Sequence, residues 1–240
     1  MQIDAYHYRE WWEECRKYTE TESKLYWKDD RDVEWCYAST DCADEVVVIP
    51  RKHEKKTVQS LACPSVSHLE YITEPTVLGD PTKLIVPLEI DKKRVLGISR
   101  MAFRGMENLE RIEIPEGIEF VGPFAFEDCR RLKDVVLPCS LRLIGDCAFR
   151  RCAALVNVEI PLYGANLQFV ASGAFEECLK LEELRFPDSL VGLGDSIVST
   201  NHTQISLPTW RNVCPQRHGS FHTREEGGGI KRFFSGLFGG

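Results

Sequence analysis

Hydrophobic and polar positions recur along this chain with a period of about two dozen residues. An Ala-Phe pair marks each unit, and the phenylalanines of these pairs are Phe103, Phe126, Phe149 and Phe175. The first two intervals between them are equal, and the third is longer by three residues. Each unit also contains a short apolar run that ends at a proline. Repeats of roughly 20 to 29 residues are typical of solenoids, because one repeat buries its apolar face only when its neighbours stack against it.

The alternation within each apolar run predicts a short β-strand. In residues 109–115, Ile112 and Ile114 fall on one face, whereas Arg111 and Glu113 fall on the other. Proline then ends the strand, because it has no N–H group to donate. The alanine of each pair allows a tight bend, and we expect the phenylalanine rings of successive coils to form a continuous internal column.

These residues resemble the BspA-like class of leucine-rich repeats. The family pattern is a Leu, two variable residues, Ile-x-Ile-Pro, an Ile or Val with Gly, Ala-Phe, two variable residues and Cys. The match is close over residues 84–187 and degenerate in residues 46–50, which are similar to residues 84–87, and in residues 205–208. The resemblance implies an α/β-type repeat solenoid with short parallel strands, about four clear repeats and one or two degenerate repeats.

The composition of the two ends predicts three regions: residues 1–45, 46–208 and 209–240. Large apolar side chains recur at helical spacing from Tyr8 to Tyr18 and include Trp11 and Trp12. Residues 25–27 and 33–37 flank a polar turn and predict a hairpin. We interpret this aromatic helix and hairpin as a cap on the end of the solenoid. The alternative is a recognition surface, since exposed Trp and Tyr dominate binding hot spots.

The carboxyl-terminal region combines three glycines, residues 227–229, with an amphipathic segment, residues 230–240. We interpret the glycines as a flexible tether. Eleven residues are too few to cross a bilayer, so contact of residues 230–240 with a membrane surface is the less favoured alternative to a tail without a role. The net charge of −7 argues against a nucleic-acid partner, which needs a clustered basic face. We expect a monomer.

Ten cysteines raise the question of disulfides or metal sites. Cys129, Cys152 and Cys178 occupy one repeat position, where Met106 stands in the first full repeat. A position that accepts either Cys or Met favours soft apolar packing over metal ligation. The polar, aromatic start of the sequence does not resemble a signal peptide. Together with many free thiols, this predicts a cytoplasmic location.

The sequence contains no nucleophile elbow, phosphate-binding glycine loop or His-Glu-x-x-His motif. Cys214, His218 and His222 are spaced by four residues, but Pro215 and Gly219 make a helix improbable there, and a zinc site would need further ligands. We therefore predict neither catalytic residues nor a metal or cofactor, and we expect that the protein is not an enzyme.

The favoured function is protein–protein interaction. In leucine-rich repeats generally, the inner face formed by the parallel strands is the usual binding face, so its outward-pointing residues are the candidates for contact with a protein or peptide. The runner-up function is a surface or secreted adhesin exported without a recognisable signal peptide. The predicted binding residues are Arg111, Glu113, Asp134, Val136, Asn157, Glu159, Glu183 and Arg185.

Overall fold

The computed structural model describes residues 24–40, 44–59, 67–74, 76–77, 81–199 and 203–208. These residues form seventeen short strands. In chain order the strands are β1 (Leu25–Lys28), β2 (Glu34–Ser39), β3 (Glu45–Val48), β4 (Lys52–Gln59), β5 (Ser67–Glu74), β6 (Lys83–Ile85), β7 (Glu89–Ile90), β8 (Lys93–Ile98), β9 (Arg111–Glu113), β10 (Phe120–Val121), β11 (Asp134–Val136), β12 (Leu143–Ile144), β13 (Asn157–Glu159), β14 (Phe169–Val170), β15 (Glu183–Arg185), β16 (Gly192–Leu193) and β17 (Gln204–Ser206).

Each coil of the solenoid contributes one strand to each of two walls. The long wall is a single sheet in the order β1-β2-β3-β8-β10-β12-β14-β16, with β7 paired to β8. The second wall, which we call the stripe wall, consists of the sheet β13-β11-β9-β6 and the separate pair β15-β17. Where strands of neighbouring coils pair, they pair in parallel in both walls, because every coil follows the same path as the one before it.

The predicted column of phenylalanine rings is confirmed. Phe103, Phe126, Phe149 and Phe175 are fully buried, and successive ring centroids lie 4.9, 5.0 and 5.3 Å apart with nearly parallel planes. Trp35, which is also fully buried, packs edge-on against Phe103 with a centroid distance of 6.2 Å. Its indole therefore covers the amino-terminal end of the column.

The predicted amino-terminal hairpin is also present. Strands β1 and β2 pair antiparallel, with Leu25 opposite Tyr37. At the turn, the Asp29 carboxylate accepts hydrogen bonds from the backbone N–H groups of Arg31 and Val33, at 3.0 and 2.9 Å, and from the indole N–H of Trp35 at 3.2 Å. The turn thus holds in place the ring that covers the column.

The predicted helix around Trp11 and Trp12 lies outside the described residues, as do the predicted tether and tail. The described part of the chain contains no helix, so the predicted α/β class is not confirmed there. This part of the chain is a β-solenoid of about five turns. The segment after each Ala-Phe pair is not helical, and a residue with a left-handed φ angle interrupts it in each coil, as at Gly105 and Asp128. It forms single turns instead, closed by bonds such as that from the backbone N–H of Leu109 to the carbonyl of Met106, at 3.3 Å.

Residues 46–50 do not take the place that their similarity to residues 84–87 predicts, and that repeat alignment is wrong. They would belong to the stripe wall, but β3 pairs in parallel with β8 in the long wall, where Val46 lies opposite Val95. Strands β4 and β5 then pair with each other as an antiparallel hairpin. A proline-terminated apolar run fits either wall, so the pattern alone could not distinguish them.

Candidate protein-binding face

The stripe wall presents a line of variable side chains, which we call the variable stripe. Alternation along β9, β11 and β15 buries Ile112, Val135 and Leu184 and turns the flanking residues outward. Asn157 and Glu159 on β13 point outward in the same way, so all eight predicted binding residues are at outward positions. The variable stripe comprises Lys83, Ile85, Arg111, Glu113, Asp134, Val136, Asn157, Glu159, Glu183, Arg185, Gln204 and Ser206.

The register of the strands brings six of the eight residues together in one sheet. Arg111, Asp134 and Asn157 are direct neighbours across β9, β11 and β13. Glu113, Val136 and Glu159 form the parallel row beside them. The other two residues, Glu183 and Arg185, lie on β15, which pairs with β17 and not with β13. The predicted face is therefore two patches rather than one.

Charge on the variable stripe is mixed with an acidic balance. The eight predicted residues include two arginines and four carboxylates. The Arg185 guanidinium donates two hydrogen bonds to the Glu183 carboxylate, at 2.7 and 2.9 Å, and these bonds lower the pKa of that carboxyl group. On β13, the Asn157 side-chain amide donates to Glu159 at 3.2 Å. These contacts stay within one strand and leave the stripe accessible to a partner.

An interruption between β13 and β15 divides the two patches. Elsewhere in this wall, the residue after each strand donates a backbone hydrogen bond to the next coil. The N–H of Leu137 donates to the carbonyl of Glu159, and the N–H of Phe186 donates to the carbonyl of Ser206, both at 3.0 Å. Among the described residues no such bond joins Ile160 to Arg185. The interruption coincides with the longest repeat, whose three extra residues lie between β13 and β14.

A cleft of about 430 Å³ opens at this interruption. Its apolar lining comes from the coil of β13 and consists of Val156, Val158, Ile160 and Leu162. Its charged lining includes Glu159, Glu182, Glu183 and Arg185. Sequence reasoning missed this cleft. The only signal for it was the last interval between the phenylalanines, which is longer than the other two.

The buried cysteines belong to the repeating core of the coils, which we call the frame, and not to a binding site. The thiols of Cys129, Cys152 and Cys178 donate to the carbonyls of Phe103, Phe126 and Phe149, at 3.2, 3.3 and 3.2 Å. Burial raises the pKa of Cys129 and of Cys178 to about 12, and it raises that of Cys152 well above its ordinary value. These thiols therefore stay protonated at neutral pH, which suits a hydrogen-bond donor and not a metal ligand.

In the part of the chain that the structure describes, no three potential metal ligands come together. The candidate group of Cys214, His218 and His222 lies outside that part. None of the described segments forms a helix with the length and hydropathy of a membrane span.

Short parallel strands, a stacked ring column and a buried cysteine at one repeat position define a β-solenoid of the leucine-rich repeat class. The family described as BspA type Leucine rich repeat region matches residues 85–207 with six copies, which is just over half of the chain. The chain belongs to this family.

Solved structures of bacterial leucine-rich repeat proteins share the fold. A leucine-rich repeat protein of T. pallidum is 23% identical, with a TM-score of 0.58 over 72% of this chain and 69% of its own. One from Bacteroides ovatus is 24% identical, with a TM-score of 0.52 over 72% and 39%. A leucine-rich cell surface protein of Faecalibacterium prausnitzii is 19% identical, with a TM-score of 0.56 over 78% and 44%. The comparison with curated proteins gives no match.

Proposed function

We propose that this chain is a non-enzymatic scaffold that binds a protein or a peptide through the variable stripe. The observation that carries the proposal is the contrast between constant buried positions and variable exposed ones. Every full coil places Ala and Phe in the core, whereas the stripe changes from Arg and Glu on β9 to Asp and Val on β11. Exposed strand residues are not needed for stacking, so their variation is available for recognition.

A charge-reversal experiment tests the stripe. Full-length protein and the double variant Arg111→Glu/Arg185→Glu are used as bait in lysate of the source cells, and bound proteins are quantified by mass spectrometry. The control is Lys92→Glu/Arg130→Glu, which changes the net charge equally at exposed turn positions outside the variable stripe. We expect the stripe variant to lose about tenfold or more of a specific partner and the control to lose little, because charge at an interface governs partner choice. Equal recovery by both variants contradicts the proposal.

We also propose a cytoplasmic location. It is supported by the described cysteines, which are all free thiols, since disulfides are rare in reducing compartments. The alternative is a surface or secreted adhesin, and one structure of similar fold is described as a cell surface protein. Protease treatment of intact cells separates the two locations. Digestion of the protein before the cells lyse would contradict the cytoplasmic proposal.

A further inference from the structure

We infer that the interruption between β13 and β15 binds an extended peptide segment of a partner protein, one that alternates basic and apolar residues and pairs with the free edge of β13. The inference rests on the proposed function and deepens it, because it assigns the binding position on the stripe wall and the chemistry of the ligand.

The backbone of β13 has hydrogen-bonding groups that face the cleft. In a parallel ladder, alternate residues bond to opposite neighbours. Asn157 and Glu159 bond to the β11 side, since the N–H of Asn157 donates to Lys133 and the carbonyl of Glu159 accepts from Leu137, both at 3.0 Å. The N–H and carbonyl of Val158 and the N–H of Ile160 therefore face the opposite side, where β15 is not paired. These groups are available to an added strand.

The inward-facing side chains of the β13 coil are less buried than the equivalent side chains of the neighbouring coils. Val135 and Leu137 on the β11 coil are buried, whereas the equivalent Val158 and Ile160 are only partly buried. In the middle of the solenoid, β13 thus has the exposure of β17, the last strand of the wall, where Ile205 and Leu207 are also only partly buried. Covering these side chains is a source of binding free energy for any segment that fills the gap.

The coil of β13 also carries large apolar residues at two positions where the other coils are mostly polar. Val156, which is 53% exposed, stands at the repeat position of Glu110 and Lys133. Leu162, which is 40% exposed, stands at the position of Glu116, Cys139 and Asp188. The two exposed apolar side chains lie just beyond the two ends of β13 and line the same cleft. Apolar side chains of a bound segment would contact them.

Charge in the cleft selects a basic ligand. Three carboxylates, Glu159, Glu182 and Glu183, line it together with one cation, Arg185. Because Arg185 pairs with Glu183, the remaining excess is negative. A Lys or Arg side chain on the bound segment would complement Glu159 or Glu182.

The position of the cleft between two strands of the same wall favours a single extended segment over the edge of another folded sheet. Strand β13 bounds the cleft on one side and β15 bounds it on the other. A strand that already belongs to a sheet brings its own neighbouring strands. These would collide with the coil of β13 or with the coil of β15. An extended segment has no such neighbours and forms main-chain hydrogen bonds as it enters.

Fluorescence anisotropy with defined peptides tests the inference. The probe is a labelled heptapeptide of alternating valine and lysine, added to the full-length protein, and the charge control replaces lysine by glutamate. Two further probes carry N-methyl groups on the valines or on the lysines, so that each loses the N–H donors along one edge. We expect the valine–lysine probe to bind, the glutamate probe to bind about tenfold more weakly or worse, and at least one N-methylated probe to lose a similar factor.

Matched variants locate the site. Glu159→Lys changes the cleft, whereas Glu113→Lys makes the same change in the same row of the sheet, two strands away. We expect Glu159→Lys to weaken binding of the valine–lysine probe about tenfold and Glu113→Lys to change it less than about twofold. Circular dichroism melts show whether both variants remain folded.

Several results would overturn the inference: no binding of the valine–lysine probe, undiminished binding of both N-methylated probes, or equal effects of the two variants. Binding that is sensitive only to Glu113→Lys would keep the variable stripe as the binding face and remove the cleft. A concentration-dependent dimer that Glu159→Lys abolishes would make a second copy the occupant and would likewise overturn it. Peptide binding in the cleft without any stripe-dependent partner from lysate would instead count against the broader proposed function.

Discussion

The two walls of the solenoid respond differently to the same three extra residues. In the long wall β12, β14 and β16 pair across the longer coil, with Phe169 between Leu143 and Gly192. The ring column also continues, from Phe149 to Phe175, at 5.3 Å. In the stripe wall, β13 and β15 separate. The core and the long wall thus preserve the stack, and the change in coil length appears on the wall where we propose binding.

The largest effect should come from removing a ring of the column. Phe126 is fully buried between two stacked neighbours, so Phe126→Ala should lower the free energy of unfolding by about 3–5 kcal/mol. The control Glu113→Ala, on the variable stripe, should change it by no more than about 0.5 kcal/mol. Urea titrations of both variants measure this difference. Similar losses in the two variants would contradict the division into frame and stripe.

High pH should weaken the frame through its cysteines. The folded protein holds the pKa of Cys129 and Cys178 at about 12, above the ordinary value of 9.0. Stability from these thiols is therefore complete below pH 9 and is lost as the pH rises from 9 towards 12, because the unfolded chain releases protons that the folded chain retains. The loss is about 1.4 kcal/mol per pH unit for each thiol.

Denaturant titrations at pH 8, 9, 10 and 11 measure this loss. The variant Cys129→Ala/Cys178→Ala is less stable at pH 8, because it loses packing and the hydrogen bonds to Phe103 and Phe149. Its stability should nevertheless fall less steeply above pH 9 than that of the wild type. Parallel pH profiles would show that ionisation of the two thiols does not contribute.

Shortening the longer coil should close the interruption in the stripe wall. Deletion of residues 162–164 makes the last repeat interval equal to the others, and we expect β13 to pair with β15 as β11 pairs with β13. Each new backbone hydrogen bond should contribute about 0.5–1.5 kcal/mol. Hydrogen exchange reports the change directly, since the Ile160 amide should exchange about tenfold or more faster than the Leu137 amide in the wild type and at a similar rate in the deletion variant. An Ile160 amide that is already protected in the wild type would contradict the open cleft.

The frame was predictable from the sequence because its physics repeats with the sequence. One period predicts three sets of buried positions: the rings that include Phe103 and Phe126, the cysteine position of Cys129, and the inward strand position of Ile112. Each of these positions must be buried in every coil. The amino-terminal hairpin was also predicted from its turn and flanking rings. The capping role of Trp35 on Phe103 could not be assigned to that residue, because four tryptophans occur in the first 45 residues.

Departures from the period could not be predicted. Residues 46–50 fit the pattern of one wall and occupy the other, since both walls use short apolar runs. Gly192 could be explained as part of a tight bend, yet it lies beneath the Phe169 ring, where a Cβ atom would come within 2.3 Å of a ring carbon. The longer interval before Phe175 was visible in the sequence, but which wall would open depends on contacts between coils that the sequence does not state.

The smallest predicted effect concerns the backbone of the frame. Gly105, Asp128, Arg151 and Glu177 share one repeat position, and all have left-handed φ angles, between 59° and 72°. The stack imposes this conformation on each of them, although it is unfavourable by about 1–2 kcal/mol for residues other than glycine.

Glu177 provides the test of this backbone strain, because its exposed ion pair with Arg151, at 3.4 Å, contributes little to stability. Both Glu177→Gly and Glu177→Ala remove that pair, but only glycine relieves the strain. We expect Glu177→Gly to be more stable than Glu177→Ala by about 1 kcal/mol, after the larger chain entropy of unfolded glycine offsets part of the gain. Thermal melts of the two variants measure the difference. An equal or more stable alanine variant would mean that the stack does not impose a left-handed residue here, and the frame would then be less uniform than its ring column indicates.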